Sequence, residues 1–203
     1  MNTFDINKFA QEVHANAVEK GWWNPAPDFA TFIALCHAEL SEALEEYRNG
    51  RPMVYYWCEG SELNNEGCWC EHPDTADCVS LPQKEACEYR SAKPEGIAVE
   101  LADCVIRMLD WCAAKGVDIT ATDDWWSGRL IKLAGFELPK LIAELHFAIG
   151  DVYENENCTS SYPEIIRAIQ TWLAARDIDL WEVARLKHEY NKTRSYRHGN
   201  KKC

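Results

Sequence analysis

Residues 29–48 have the sequence FATFIALCHAELSEALEEYR. Apolar side chains recur in this stretch every three or four residues, which is the period of one face of an α-helix. Asp28 or Thr31 can cap the start of such a helix, and Asn49-Gly50 can end it. The stretch therefore predicts a long amphipathic helix at residues 29–48, and the rest of the fold is best predicted outward from it.

The same helical period appears elsewhere along the chain, and no stretch shows a convincing strand pattern. The sequence therefore predicts an all-α helical bundle in a single domain, 1–203. Residues 51–94 are rich in Cys, Asn, Gly and Pro and predict an irregular insertion, and residues 118–137 predict a linker. We expect the remaining helices, the second of them opened by Pro94, at residues 5–20, 95–115, 138–153, 164–175 and 179–194.

Composition excludes several classes of protein. The chain has 203 residues, of which 47% are hydrophobic and 27% charged, so it is not wholly disordered. Its net charge of −12 disfavours a general nucleic-acid binder. No apolar run approaches the roughly 18 residues of a membrane span, and the first residues lack the pattern of a signal peptide. We therefore expect a cytoplasmic protein with no membrane partner, whose ten cysteines are reduced.

Two predicted helices carry paired carboxylates. Glu39 and Glu42 lie on the first, and Glu100 and Asp103 lie at the same spacing on the second. Residues three apart in a helix are about 60° apart around its axis, and both pairs border the apolar stripe. If the stripes pack together, the four carboxylates meet at the seam, where they suit Mg²⁺ or Mn²⁺. Glu46, one turn further on, can bind a second metal or orient water.

The last predicted helix carries a basic cluster. Lys187, Asn191 and Arg194 follow one another at spacings of four and three, so one helical face presents all three. Together they can bind phosphate oxygens through charge-assisted hydrogen bonds. The alternative is a solubilising tail, or cations that complement the negative end of the helix.

Aromatic and cysteine-rich segments allow two further hypotheses. Trp22 and Trp23 precede the first acidic helix and can stack on a nucleobase, although burial in the core is the alternative. Trp125 and Trp126 are interpreted as packing anchors of the linker, and His37 as a structural residue. The insertion can bind Zn²⁺ through candidate ligands Cys58, Cys68, Cys70, Cys78, Cys87 and His72. The alternative is that its thiols are free, because the spacing of its cysteines is not that of a usual zinc knuckle.

A weak internal repeat is also present. The segment from Ile33 to His37 is similar to the segment from Ile142 to His146, at an offset of 109 residues. A second similarity, between the segments beginning at Asp110 and Thr171, has an offset of 61 residues. An insertion of unequal length in the first copy explains the difference, so we expect an internal duplication.

The combined motifs resemble the MazG-like family of all-α nucleoside triphosphate pyrophosphohydrolases, which is related to dimeric dUTPases and dCTP pyrophosphatases. The resemblance lies in residues 33–48, 93–107 and 187–199, and in the family's ExxE and ExxD motifs. It implies that Glu39, Glu42, Glu100 and Asp103 hold Mg²⁺ against a nucleoside triphosphate. It also implies that Lys187, Asn191 and Arg194 grip the phosphates, and that the products are a nucleoside monophosphate and pyrophosphate.

The chain departs from the family pattern in ways that shape the hypothesis. Its acidic motifs are further apart, and Ala38 stands where some members have another Glu. The second copy has lost most of the acidic set, so we expect a single-chain pseudo-dimer with one composite site, although a homodimer is open. The alternatives are a non-catalytic metal-binding or interaction module that uses the insertion, and a pyrophosphatase acting on diphosphate-type substrates.

Overall fold

Helices dominate the computed structural model, which describes residues 4–58, 68–70, 93–120, 132–155 and 161–200. This confirms the prediction of a mostly helical fold. The helices are α1 (Ile6–Glu19), α2 (Phe29–Arg48), α3 (Ile97–Lys115), α4 (Leu138–Glu154), α5 (Ser161–Ala174), α6 (Leu180–Thr193) and the short α7 (Arg197–Asn200).

Side-chain caps explain why three of the helix starts were predictable. Asp5, Asp28 and Asp179 precede α1, α2 and α6, and each carboxylate accepts a hydrogen bond from a backbone N–H two or three residues on, at 2.6 to 2.9 Å. These bonds satisfy N–H groups that have no partner within the helix. At the other end of α3, Gly116 has φ of 68°, the left-handed conformation that commonly ends a helix.

A small sheet corrects the expectation that the chain has no strands. β1 (Tyr55–Cys58) pairs antiparallel with both β2 (Cys68–Cys70) and β3 (Lys93–Glu95), in the order β2-β1-β3. The aromatic run in β1 suits a pleated surface. Strands of three or four residues are too short to show the alternation by which a strand is recognised in a sequence.

The start of α3 also differs from the prediction. Pro94 lies inside the edge strand β3 and does not open the helix, since an edge position tolerates its missing N–H. The helix begins after Gly96, which has φ of 111°. A Cβ at this position would lie 2.7 Å from the carbonyl oxygen of Pro52 and 2.8 Å from that of Met53. Only glycine fits this turn, which sets the entry of α3 into the core.

α3 is the central helix of the bundle. It packs against α1, α2 and α6, while α2 packs in addition against α4. Cys36, Cys104 and Cys112 are fully buried within this core as free thiols. No helix in the described ranges is both long and apolar enough to cross a membrane.

Several predictions fall on residues that the structure does not describe. Trp125 and Trp126 of the expected linker lie outside the described residues, as do His72, Cys78 and Cys87 of the insertion. Of the remaining insertion cysteines, the backbones of Cys58 and Cys68 are paired directly across the β1–β2 ladder.

Candidate functional site

A single cleft of about 380 Å³ collects nearly all of the residues predicted to form a site. Helices α2 and α3 supply the acidic side chains, and α6 supplies the predicted phosphate ligands. The loop between α1 and α2 adds two tryptophans. The predicted site residues that line the cleft are Glu39, Glu42, Glu100, Asp103, Lys187, Asn191, Arg194, Trp22 and Trp23.

Three of the four predicted metal ligands form a tight cluster. One carboxylate oxygen from each of Glu39, Glu42 and Glu100 lies within 4.8 Å of the others. Glu39 and Glu100 are buried, whereas Glu42 is exposed at the mouth. Three hard oxygen donors at this spacing fit a divalent cation such as Mg²⁺ or Mn²⁺.

Burial perturbs the two inner carboxyl groups of this cluster. It raises the pKa of Glu100 to about 9, with Lys187 opposing the rise and Asp103 adding to it. It also raises the pKa of Glu39, with the Arg107 guanidinium opposing. A cation that binds there therefore competes with protons for the inner carboxyl groups.

Arg107 neutralises the inner edge of the cluster. Its Nε atom donates to Oε1 of Glu39 at 2.5 Å, and its Nη2 atom lies 2.5 Å from the same oxygen in an ion pair. Arg107 lies four residues after Asp103 on α3 and lines the same cleft. This arginine was not among the predicted site residues, although its spacing from Asp103 places it on the same helical face.

The fourth predicted ligand, Asp103, is paired with a predicted phosphate ligand. The ammonium group of Lys187 lies 2.9 Å from the Asp103 carboxylate and donates to the carbonyl oxygen of Pro94 at 3.3 Å. Lys187 is only 2% exposed. The structure thus joins the acidic and basic sets through a buried ion pair, which spacing within single helices did not predict.

The other two residues of the basic trio face the same space. The Asn191 amide oxygen is buried and has no hydrogen-bond partner among the residues that the structure describes. Arg194 follows at the end of α6, where its guanidinium lies over the ring of Tyr190 at 5.9 Å. The Arg194 guanidinium and the Asn191 amide nitrogen can donate to an oxygen-rich ligand, and the unpartnered Asn191 oxygen can accept a hydrogen bond from a ligand that carries a donor.

Aromatic side chains and one carboxylate form the other end of the cleft. The Trp23 indole N–H donates to both carboxylate oxygens of Asp110, at 3.0 and 3.1 Å. His14 lies 2.7 Å from the same carboxylate. Trp22 packs edge-on against His198, with ring centroids 4.9 Å apart. Both tryptophans are half-buried rather than core residues, so their rings are partly accessible to a ligand.

Glu46 does not belong to this cleft. It accepts a hydrogen bond from the Tyr55 hydroxyl on β1, and burial raises its pKa. The structure therefore places it beside the sheet, where Glu95 of β3 interacts both with Glu46 and with Glu100 of the cluster. The second-metal or water-orienting role of Glu46 stays a prediction.

No family model, curated protein or solved structure matches this chain. The site must therefore be interpreted from its own residues. Sequence reasoning missed three of them: His14, Arg107 and Asp110. The sequence did indicate Arg107 and Asp110, because they continue the face of the acidic pair on α3. The spacings are three, four and three residues along Glu100, Asp103, Arg107 and Asp110. His14 lies on α1 and is brought in by the fold alone.

Proposed function

We propose that this chain is a Mg²⁺-dependent nucleoside triphosphate pyrophosphohydrolase of the MazG-like type. The observation that carries the proposal is the shared cleft. It places the Glu39, Glu42 and Glu100 cluster opposite the α6 residues Asn191 and Arg194. An acidic cluster that binds a cation, next to donors for phosphate, can accommodate a polyanion in a chain whose net charge is −12.

The metal would be held by the three clustered carboxylates, whose hard oxygens suit Mg²⁺. Bound there, Mg²⁺ would lower the pKa of water and neutralise phosphate charge. Asp103, which the resemblance adds to the ligand set, is held by Lys187 and is one helical turn from Glu100. Its role as a fourth ligand requires that Lys187 turn toward another anion.

The basic residues would hold the triphosphate in line for displacement. Arg194 and the Asn191 amide can donate to phosphate oxygens. Water attacks the α-phosphorus, the bond from this phosphorus to the bridging oxygen breaks, and pyrophosphate departs. Arg107 and Lys187 lie where charge develops and can stabilise it. A nucleoside monophosphate is left at the aromatic end of the cleft.

Features of the fold support an internal duplication, which the proposal includes. Helices α2 and α4 begin at Phe29 and Leu138, which differ by 109 residues, the offset of the sequence repeat. The two helices pack together. His37 and His146, equivalent at the same offset, face one another with Nδ1 atoms 2.7 Å apart. A contact between equivalent residues is what a two-fold axis produces, and it favours a pseudo-dimer within one chain.

The test is product analysis with purified protein, Mg²⁺ and the eight common ribo- and deoxyribonucleoside triphosphates. Pyrophosphate and orthophosphate are scored separately. We expect pyrophosphate release that is lost in Glu42→Gln, because Glu42 is exposed and its replacement should leave the core intact. Glu45→Gln is the matched control, since Glu45 is exposed on the same helix and pairs with Arg48 outside the cleft.

Three outcomes would replace the proposal. Orthophosphate as the only inorganic product of a triphosphate would mean cleavage at the γ-phosphate, whereas release from nucleoside diphosphates alone, added as further substrates, would favour a diphosphate-type reaction. An absence of turnover in folded, Mg²⁺-supplied protein would favour a non-catalytic module.

A further inference from the structure

The end of the cleft furthest from the acidic cluster has the character of a pocket for a flat, largely apolar group. Phe32 and Trp111 are stacked there, with ring centroids 4.6 Å apart and planes 7° from parallel. Trp23 lies beside Trp111 at 6.1 Å. All three side chains line the cleft, together with Ile106.

Asp110 is the one carboxylate that lines this aromatic end, in the part of the chain that the structure describes. Hydrogen bonds from Trp23 and His14 oppose the rise that burial causes in the pKa of Asp110, and they favour its ionised form. His14 contacts only Oδ1, while Trp23 contacts both oxygens. Each carboxylate oxygen can accept about two hydrogen bonds, so Oδ2 keeps capacity for a donor from a ligand.

The position of Asp110 along α3 sets its distance from the phosphate end. It lies seven residues after Asp103, which corresponds to about 10 Å of helix rise on the same face. A nucleotide has a comparable reach from its α-phosphate to the hydrogen-bonding edge of its base. A triphosphate held at the acidic cluster would therefore extend its base toward Asp110.

We propose that Asp110 is a specificity-determining residue that selects nucleobases carrying an exocyclic amino group on the edge they present to it. The inference rests on the proposed function and adds the class of base. A carboxylate offers only acceptors, so it pairs with an amino group and repels a carbonyl oxygen in the same place. At the position of the exocyclic amino group of cytosine and adenine, uracil and hypoxanthine carry a carbonyl oxygen instead.

The half-buried Trp23 ring would stack on any base by its face, backed by the buried Phe32–Trp111 pair, so it would contribute binding without strong selectivity. The selectivity would come from the buried carboxylate. Sites that hydrogen-bond a substrate group reject analogues lacking it, because the buried polar group is left unpaired. We expect a preference of at least about tenfold within matched pairs of substrates.

The experiment compares kcat/KM for two pairs that differ at this group, CTP with UTP and ATP with ITP. The wild-type protein is compared with Asp110→Asn, whose amide has both a donor and an acceptor. We expect the wild-type preference for CTP and ATP to fall to within about threefold of unity in Asp110→Asn. Asp177→Asn is the control for the loss of one negative charge, because Asp177 is exposed at a position with φ of 59° that asparagine tolerates.

Binding gives a second readout that does not require turnover. Calorimetric titration with the α,β-methylene analogues of CTP and UTP should show the same preference and the same loss in Asp110→Asn. Turnover with equal kcat/KM within each pair would overturn this inference and leave the proposed function standing. An unchanged preference in a folded Asp110→Asn protein would also overturn it. If that variant did not fold, the wild-type ratios of kcat/KM for CTP over UTP and for ATP over ITP would decide whether the inference stands. An absence of both turnover and binding would overturn the proposed function as well.

Discussion

Replacing Lys187 by methionine tests whether a buried ion pair joins the two sides of the cleft. Lys187 is 2% exposed, and its ammonium lies 2.9 Å from the Asp103 carboxylate. Methionine keeps most of the apolar stem and removes the charge. Removing one partner of a buried pair leaves the other uncompensated and costs about 3–5 kcal/mol. For a chain of this size each kcal/mol lowers the Tm by about 2–4 °C, so we expect a fall of roughly 6–20 °C.

The assay is denaturant and thermal unfolding in the presence of a chelator, repeated with millimolar Mg²⁺. Lys192→Met is the matched control, because Lys192 is exposed on the same helix and pairs with Glu189 at the surface. Exposed pairs contribute about 1 kcal/mol or less. We expect Mg²⁺ to restore part of the stability of Lys187→Met, since a cation in the cluster offsets the uncompensated carboxylates. If Lys187→Met were no less stable than Lys192→Met, the reasoning would be refuted.

Three further tests concern Arg107, the His37–His146 pair and the insertion. Arg107→Gln should tighten Mn²⁺ binding about tenfold in calorimetry, because the guanidinium competes for Glu39; unchanged affinity would contradict this. Burial lowers the pKa of both His37 and His146. At a pH below about 6.5 the unfolded chain therefore binds more protons than the folded one, and the free energy of unfolding decreases as the pH is lowered further. Gln in place of His146 should flatten that fall in unfolding measurements. Metal analysis of the protein and of Cys68→Ser decides between the two hypotheses for the insertion: zinc that is present in the parent and lost in the variant would support the zinc site, and none in the parent would support free thiols.

The helices could be predicted because their signals are local. The apolar period and the Asp28 cap together set the bounds of α2, which the structure reproduces at Phe29–Arg48. The sheet could not be predicted, because β2 and β3 have three residues each and depend on pairing with β1 for their stability. Pro94 was misassigned for the same reason, since its place in an edge strand depends on a partner distant in sequence.

The candidate site was partly predictable for a related reason. The acidic pairs and the basic trio are visible as spacings within one helix, and the structure brings them into one cleft. The contacts between helices were not visible. The Asp103–Lys187 pair joins α3 to α6, and the His14–Asp110 pair joins α1 to α3. Such pairs are set by tertiary packing, so a sequence without its fold does not indicate them.

The proposed pyrophosphohydrolase activity depends most directly on which phosphorus of the triphosphate is attacked. The most direct measurement is hydrolysis of a nucleoside triphosphate in ¹⁸O-labelled water with Mg²⁺, followed by mass spectrometry of both products. We predict that one ¹⁸O enters the nucleoside monophosphate and none enters pyrophosphate, because the proposed reaction is an attack of water on the α-phosphorus. Label in pyrophosphate or in orthophosphate, or no hydrolysis by folded protein, would contradict the assignment of this cleft.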